Sequence, residues 1–207
     1  MSTKPKCTLF VFPARDAPRA VILRRGPSKV FHVMLWDMRS NSIQSGSWFH
    51  GKIHPEACDI SPDGNFFRYG AHNGSQKTWK NLGSNAWTAI CRPPFLKALS
   101  MHVSYCGTWE LVPNHFVTKS DAEFHSASPE GCLPSDLRIT FGKRPQPNVP
   151  EVETADWVGL DYKGRVIFTV GSELWRCLAR PGKFGHPSLV ADFANLVPPW
   201  QRDANSK

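Results

Sequence analysis

The sequence predicts an all-β protein assembled from repeated antiparallel units. Three observations lead there. Aromatic residues make up 12% of the chain, with 8 Trp and 13 Phe, and 18 Pro and 15 Gly are spread along it. Many turn formers among many aromatic and branched residues favour short strands over long helices. Two polar turns ending in glycine, each followed by strand formers, recur about 100 residues apart. No window of about a dozen residues shows helical apolar periodicity.

The front of the chain reads as four strands. "TLFVFPA", "RAVILRRG", "VFHVMLWDM" and "SIQSGSWF" are separated by the turn sequences "RDAP", "GPSK" and "RSNS". Next comes "DISPDGNFFRYG" (59–70), which aligns with "GLDYKGRVIFTVG" (159–171). With Gly64 opposite Gly164, Phe66 and Phe67 face Val166 and Ile167. A glycine is what a tight turn with positive φ requires. A Trp-bearing strand follows each hairpin: "NAWTAICRP" (85–93) after a loop, and "SELWRCLARP" (172–181) directly. A fourth unit, over about 105–145, holds "GTWELV", "HFVTKS" and "DLRITFG" around the plain loop "SASPEGCLPSD".

Four units of roughly 50 residues match the spacing of β-propeller blades. The expected fold is therefore a small β-propeller-like array of about four blades. Two packed antiparallel sheets or an incomplete propeller are the alternatives. "ISPDGNFFRYG" resembles the inner hairpin of WD-repeat and TolB-type propeller blades, and "LDYKGRVIFTVGSELWRC" is similar to a blade of the same class. The Trp-Asp dipeptide occurs once, at Trp36-Asp37, so a regular repeat of it is missing. The run from "RRGPSKVFHVMLWDM" to "ISPDG", with "WTAICRPPFLKAL", also resembles a group of uncharacterised bacterial proteins, and no function carries over from them.

Residues 1–207 read as one propeller-like domain, with a short irregular cap or helix at 188–207. The opening strand "CTLFVF" (7–12) lacks an obvious early partner, so it is expected beside the strands of 156–178, closing a ring. No apolar run reaches the length of a transmembrane helix. The first apolar run is broken by Pro13, Arg15 and Asp16, too early for a secretory signal. The expected compartment is the cytoplasm, without membrane contact. Six cysteines lie at least 15 residues apart with no C-x-x-C. They are expected as reduced, mostly buried thiols.

Charge is uneven. Residues 1–30 hold seven Lys and Arg against Asp16 alone; 31–100 hold seven against four; the remainder holds eleven against twelve. A basic first half suits nucleic acid or another polyanion. The most site-like segment is "GSWFHGKIH" (46–54). Trp48, His50, Lys52 and His54 offer an aromatic face beside cationic or titratable groups, a mix that can stack a ring and hold an anion. Arg24, Arg25, His72 and Arg92 would join them if the hairpin tips converge on one mouth. His50 and His54 have i, i+4 spacing, but Gly51 and Pro55 point to a loop, so no metal site is assigned. Ser45, Ser47 and His50 are close in sequence, without a G-x-S-x-G motif. Glu151, Glu153 and Asp156 read as a solvated acidic loop after a Pro-rich linker.

These features lead to a non-enzymatic binding or scaffold module with a protein partner and no cofactor. Nucleic-acid or polyanion binding through the basic first half is one alternative. An enzyme with a His/Arg site at a central mouth is the other.

Overall fold

The computed structural model describes residues 7–27, 29–104, 115–117, 124–125, 138–140, 155–180 and 183–202. Its first sheet is a meander of β1 (Thr8–Pro13), β2 (Arg19–Arg25), β3 (Val30–Asp37) and β4 (Ser42–His50), each antiparallel to the next. The four strands lie where "TLFVFPA", "RAVILRRG", "VFHVMLWDM" and "SIQSGSWF" place them. The turn before β4 is held by the Asp37 carboxylate, which accepts from the Arg39 and Ser40 amides at 2.8 and 3.3 Å.

This sheet is covered on both faces, and the composition of β2 and β3 explains why. Their interiors, "AVILR" and "VFHVMLW", are nearly unbroken apolar runs, the pattern of a strand without a wet side. Alternation decides what each residue meets. Val21, Leu23, Phe31 and Val33 point one way, into a core shared with Ile53, Phe67, Tyr69 and Trp87. Leu9, Val11, Ile22, Met34 and Trp36 point the other way, against Ile167, Leu174 and Phe193.

The first of these neighbours is a second sheet. It comprises β5 (Lys52–Ile60), β6 (Phe67–His72), β7 (Ala86–Cys91) and β8 (Ala98–Ser104), extended at its far edge by β10 (Phe124–His125). The other neighbour is the last sheet: β12 (Trp157–Leu160), β13 (Val166–Val170), β14 (Glu173–Cys177) and β17 (Ser188–Asp192). Two short ladders complete the strands, β9 (His115–Val117) with β11 (Arg138–Thr140), and β15 (Ala179–Arg180) with β16 (Lys183–Phe184). The protein is thus all-β, as expected, in open antiparallel sheets stacked face to face. Most of the expected fourth unit, including "GTWELV" and "SASPEGCLPSD", lies outside the described residues.

The two hairpin tips are equivalent. Gly64 and Gly164 have φ of 73° and 74°, and each amide donates to the carbonyl three residues back, Ser61 at 2.9 Å and Asp161 at 3.0 Å. The first loop is one residue longer: Ile60 pairs with Phe67, whereas Leu160 pairs with Val166. The structural counterpart of Val166 is therefore Phe67, one place on from the glycine-anchored alignment. The added residue follows the glycine, at Asn65, and Asp63 holds it, accepting from the Asn65 amide at 3.1 Å and from the Asn65 side chain at 2.7 Å.

Four expectations are corrected. The strand at 7–12 does not join the last sheet. It pairs with β2 in full register, Thr8 opposite Arg25 through Pro13 opposite Ala20, and meets the last sheet only by its Leu9 and Val11 face. The tail is not wholly an irregular cap, since the alternating "SLVAD" adds β17 to the edge of β14 and only Pro199–Arg202 forms a helical turn, α2. Residues 50–56 are not a loop. β4 passes into β5 through Gly51 alone, and Pro55 is tolerated because β5 is an edge strand with a register shift between His54 and Asp59. The expected loop before β7 contains a helix, α1 (Gln76–Leu82).

No helix among the described residues is long and apolar enough to cross a membrane. Cys7, Cys58, Cys91 and Cys177 are buried free thiols, and burial pushes all four above the ordinary thiol range. Cys106 and Cys132 lie outside the described residues.

Candidate functional site

The expected site residues are parted by the strands that carry them. Both hairpin tips lie at one end of the stack. The 61–65 tip docks on the loop after β1, where the Asp16 amide donates to the Pro62 carbonyl at 2.8 Å and Arg19 Nη1 donates to Asn65 Oδ1 at 2.6 Å. Arg176 places its guanidinium 5.9 Å from the ring centroid of Trp36 at this same end, beside the Arg165–Asp161 pair. Among the expected site residues, Arg92 belongs here, over the Phe66 ring at 5.1 Å. His72 is at the opposite end of β6, opposite Lys52 and Ala86, while Phe67 at the near end pairs with Cys91. At about 3.3 Å per residue this separates His72 from the tip end by roughly 17 Å. A single mouth joining Arg92 to the other seven residues is therefore overturned.

The others gather in two places. The first is a rim at the corner where β4 becomes β5. Val30 pairs with His50, and Lys52 with His72. The Gly51 amide donates to the Lys29 carbonyl at 2.9 Å. Asn73 Nδ2 donates to the His50 carbonyl at 3.0 Å. The corner needs glycine: a Cβ at Gly51, whose φ is 157°, would sit 2.6 Å from the Phe49 ring and 2.8 Å from the His72 carbonyl oxygen. Arg25, Lys29, His50, Lys52 and His72 are all exposed here. No Asp or Glu occurs over 17–36, 38–55 or 64–109. Glu56 is the carboxylate whose field reaches Lys52, and its Oε1 is bonded to Nδ1 of buried His54 at 2.9 Å. His54 thus belongs to the interior beside the rim.

The second place lies between the first and last sheets, where Arg24 and His32 are buried, Trp48 is half-buried and Ser45 is exposed; of these, His32 is the one the sequence did not single out. Arg24, His32 and Trp48 are consecutive partners across β2, β3 and β4, all on the face toward the last sheet. Arg24 is 3% exposed and donates from Nε to the Phe193 carbonyl at 2.9 Å. His32, 1% exposed, stacks parallel on Trp48 with centroids 4.0 Å apart. Trp200 of α2 meets Trp48 edge-on at 6.3 Å. His32 Nε2 bonds Ser45 Oγ at 2.9 Å. Burial first, and the Arg24 charge second, push His32 down to about 4, with the Gly46 backbone opposing them.

A serine beside a histidine is the first step of a nucleophilic site, but this pair lacks the rest of the chemistry. Among the described residues His32 Nδ1 has no hydrogen-bond partner, so none of their carboxylates orients the ring. A histidine titrating near 4 is a weak base at neutral pH. Ser47 and His50 do not join it: Ser47 Oγ accepts from the Leu96 amide at 3.0 Å, and His50 stands on the rim. Asp156 accepts from the Gly171 amide at 2.6 Å, as a turn former, and Glu151 and Glu153 lie outside the described residues. Among the described residues no three His, Cys, Asp or Glu side chains converge as a metal site.

His32 carried no signal in sequence, because a histidine inside "VFHVMLW" looks like any strand residue. The rim did carry one, in the basic and acid-free composition of the first half. No protein-family model, curated protein or solved structure matches the chain.

Proposed function

We propose that the chain is a binding module of propeller-like architecture that holds an anionic partner, nucleic acid or another polyanion, against the rim of Arg25, Lys29, His50, Lys52 and His72. One observation carries this reading. Five exposed basic or titratable groups are brought to one corner by backbone pairing from the stretches 17–36, 38–55 and 64–109, which contain no acid, and Glu56, the acid that follows Lys52 on β5, is hydrogen-bonded to His54. Such a surface raises the local concentration of a polyanion and gains affinity by releasing its counterions. The propeller-like reading is supported by the order of the layers: the first sheet packs on the second by one face and on the last by the other, as the first blade of a ring would.

Arg24 is no part of this surface, because its guanidinium is buried against Phe193. The test is therefore the triple substitution Arg25→Ala, Lys29→Ala and Lys52→Ala. The native chain is retained on heparin and on immobilised DNA at low salt, and the variant elutes at clearly lower salt. Equal elution of the two proteins, with equal urea midpoints, overturns the reading.

A further inference from the structure

The two equivalent hairpins differ at the ends away from their tips. In the last sheet β13 returns to β14 through Gly171 and Ser172 alone. In the second sheet the same return, from β6 to β7, takes residues 73–85 and contains α1. Additions to one copy of a repeated unit commonly mark a binding face.

We propose that α1 and the adjoining rim bind single-stranded nucleic acid, with Trp79 as the platform for an unpaired base and Lys77, Lys80 and Lys52 meeting phosphates. The proposal rests on the polyanion reading and narrows it to one class of partner.

The sequence builds this excursion deliberately enough to hold it in place. Ser75 caps the helix by accepting from the Thr78 amide, and Gly83 closes it in the left-handed region with φ of 67°, its amide donating to the Trp79 carbonyl at 2.8 Å. Leu82 packs on the core between the first two sheets. Asn73 ties the helix to the rim: its Nδ2 donates to the His50 carbonyl at 3.0 Å, and its Oδ1 accepts from the Ser75 amide at 3.0 Å. A helix of this length gains little by itself, so the caps and the Asn73 bridge are what fix it beside His50 and His72.

Burial does not account for Trp79. It is 56% exposed, and no residue of α1 is buried. Each helical residue turns about 100°, so Trp79, Gln76, Lys80 and Lys77 follow one another round the outward side over about 160°. All four are exposed. An exposed indole on a helix whose outward side also carries two ammonium groups, with no acid between Asp63 and Glu110, suits a partner offering flat rings and negative charge together. A duplex hides its ring faces in the stack, whereas a single strand presents them. An acidic peptide would engage the lysines without needing the indole.

The test is fluorescence anisotropy with a labelled oligothymidylate about 15 nucleotides long, near the upper end of the site sizes of single-strand binding folds. The same length of duplex and a polyglutamate serve as competitors. The native chain is expected to prefer the single strand to both. Trp79→Ala should weaken binding roughly tenfold and Trp79→Phe much less, since stacking survives in Phe. Lys77→Ala with Lys80→Ala should lower the slope of log affinity against log salt by about 1.4, at roughly 0.7 per phosphate contact. Unchanged affinity in Trp79→Ala, or equal affinity for duplex and single strand, overturns the proposal. If the Arg25, Lys29 and Lys52 substitutions still weaken binding in that case, the polyanion reading stands without it. If they have no effect either, both fall.

Discussion

Acid should loosen the contact between the first and last sheets through His32. The ring is 1% exposed, and burial with the Arg24 charge moves it from 6.5 to about 4. Its folded value lies below its unfolded value, so the unfolded chain binds the extra proton first. The stability that neutral His32 permits is complete above pH 6.5 and is lost as pH falls through 4. A difference of about 2.5 pKa units at 1.36 kcal/mol each gives about 3 kcal/mol, an order-of-magnitude figure. The perturbation is His32→Gln, which keeps a donor for Ser45 and removes the titration. Urea unfolding followed by tryptophan fluorescence at intervals from pH 4 to 8 reads the effect. The native protein should lose about 3 kcal/mol more than the variant across that range, most of it between 6.5 and 4. Carboxylates contribute equally to both proteins, so the difference isolates His32. Identical pH slopes would refute the reasoning. So would a His32 side-chain NMR titration centred near 6.5 in the folded protein.

Other outcomes follow from the packing. Alanine at Gly164 should cost about 1 kcal/mol, the price of a left-handed residue in open space, since no atom of the described residues lies within 4 Å of the added Cβ. The same change at Gly64 should cost clearly more, because its Cβ would sit 2.9 Å from the Arg19 Cβ. Equal urea midpoints for the two variants would argue against the docked tip. Phe67→Ala should cost about 3–5 kcal/mol, since the ring is fully buried between Phe12 and Tyr69. Phe95→Ala, at an exposed position, should change stability by no more than about 0.5 kcal/mol in the same assay.

The fold was legible wherever local chemistry and tertiary packing agree. "SPDG" and "DYKG" announced turns because only glycine takes their last φ without strain, and the runs after them had nowhere to go but into strands. The four strands at the front were legible for the same reason. α1 was not, because seven residues with Trp and Thr show no apolar stripe, and the helix depends on Ser75, Gly83 and Asn73 rather than on periodicity. The partner of the first strand was missed because ring closure by strand exchange is a habit of an architecture. The register of Thr8–Pro13 on β2 is instead set by the short loop at 14–18.

The site was legible in composition but not in grouping, and the pleat explains this. Successive strand residues point to opposite faces, so nearness in sequence separates side chains as often as it joins them. Arg24 turns toward Phe193 and is buried, while Arg25, the next residue, is exposed at the rim. Trp48 stacks on His32 against the last sheet, while Phe49 meets Trp87 of the second sheet at 6.0 Å. His54, four residues beyond His50, is drawn inside and held by Glu56. What survives of "GSWFHGKIH" as a surface is therefore His50 and Lys52, too few to define a site alone. They gain partners only through pairings that join distant segments: Val30 to His50, Lys52 to His72, and Asn73 across to the His50 carbonyl. The last of these matters most, because it is the one that places an exposed tryptophan helix beside a basic corner.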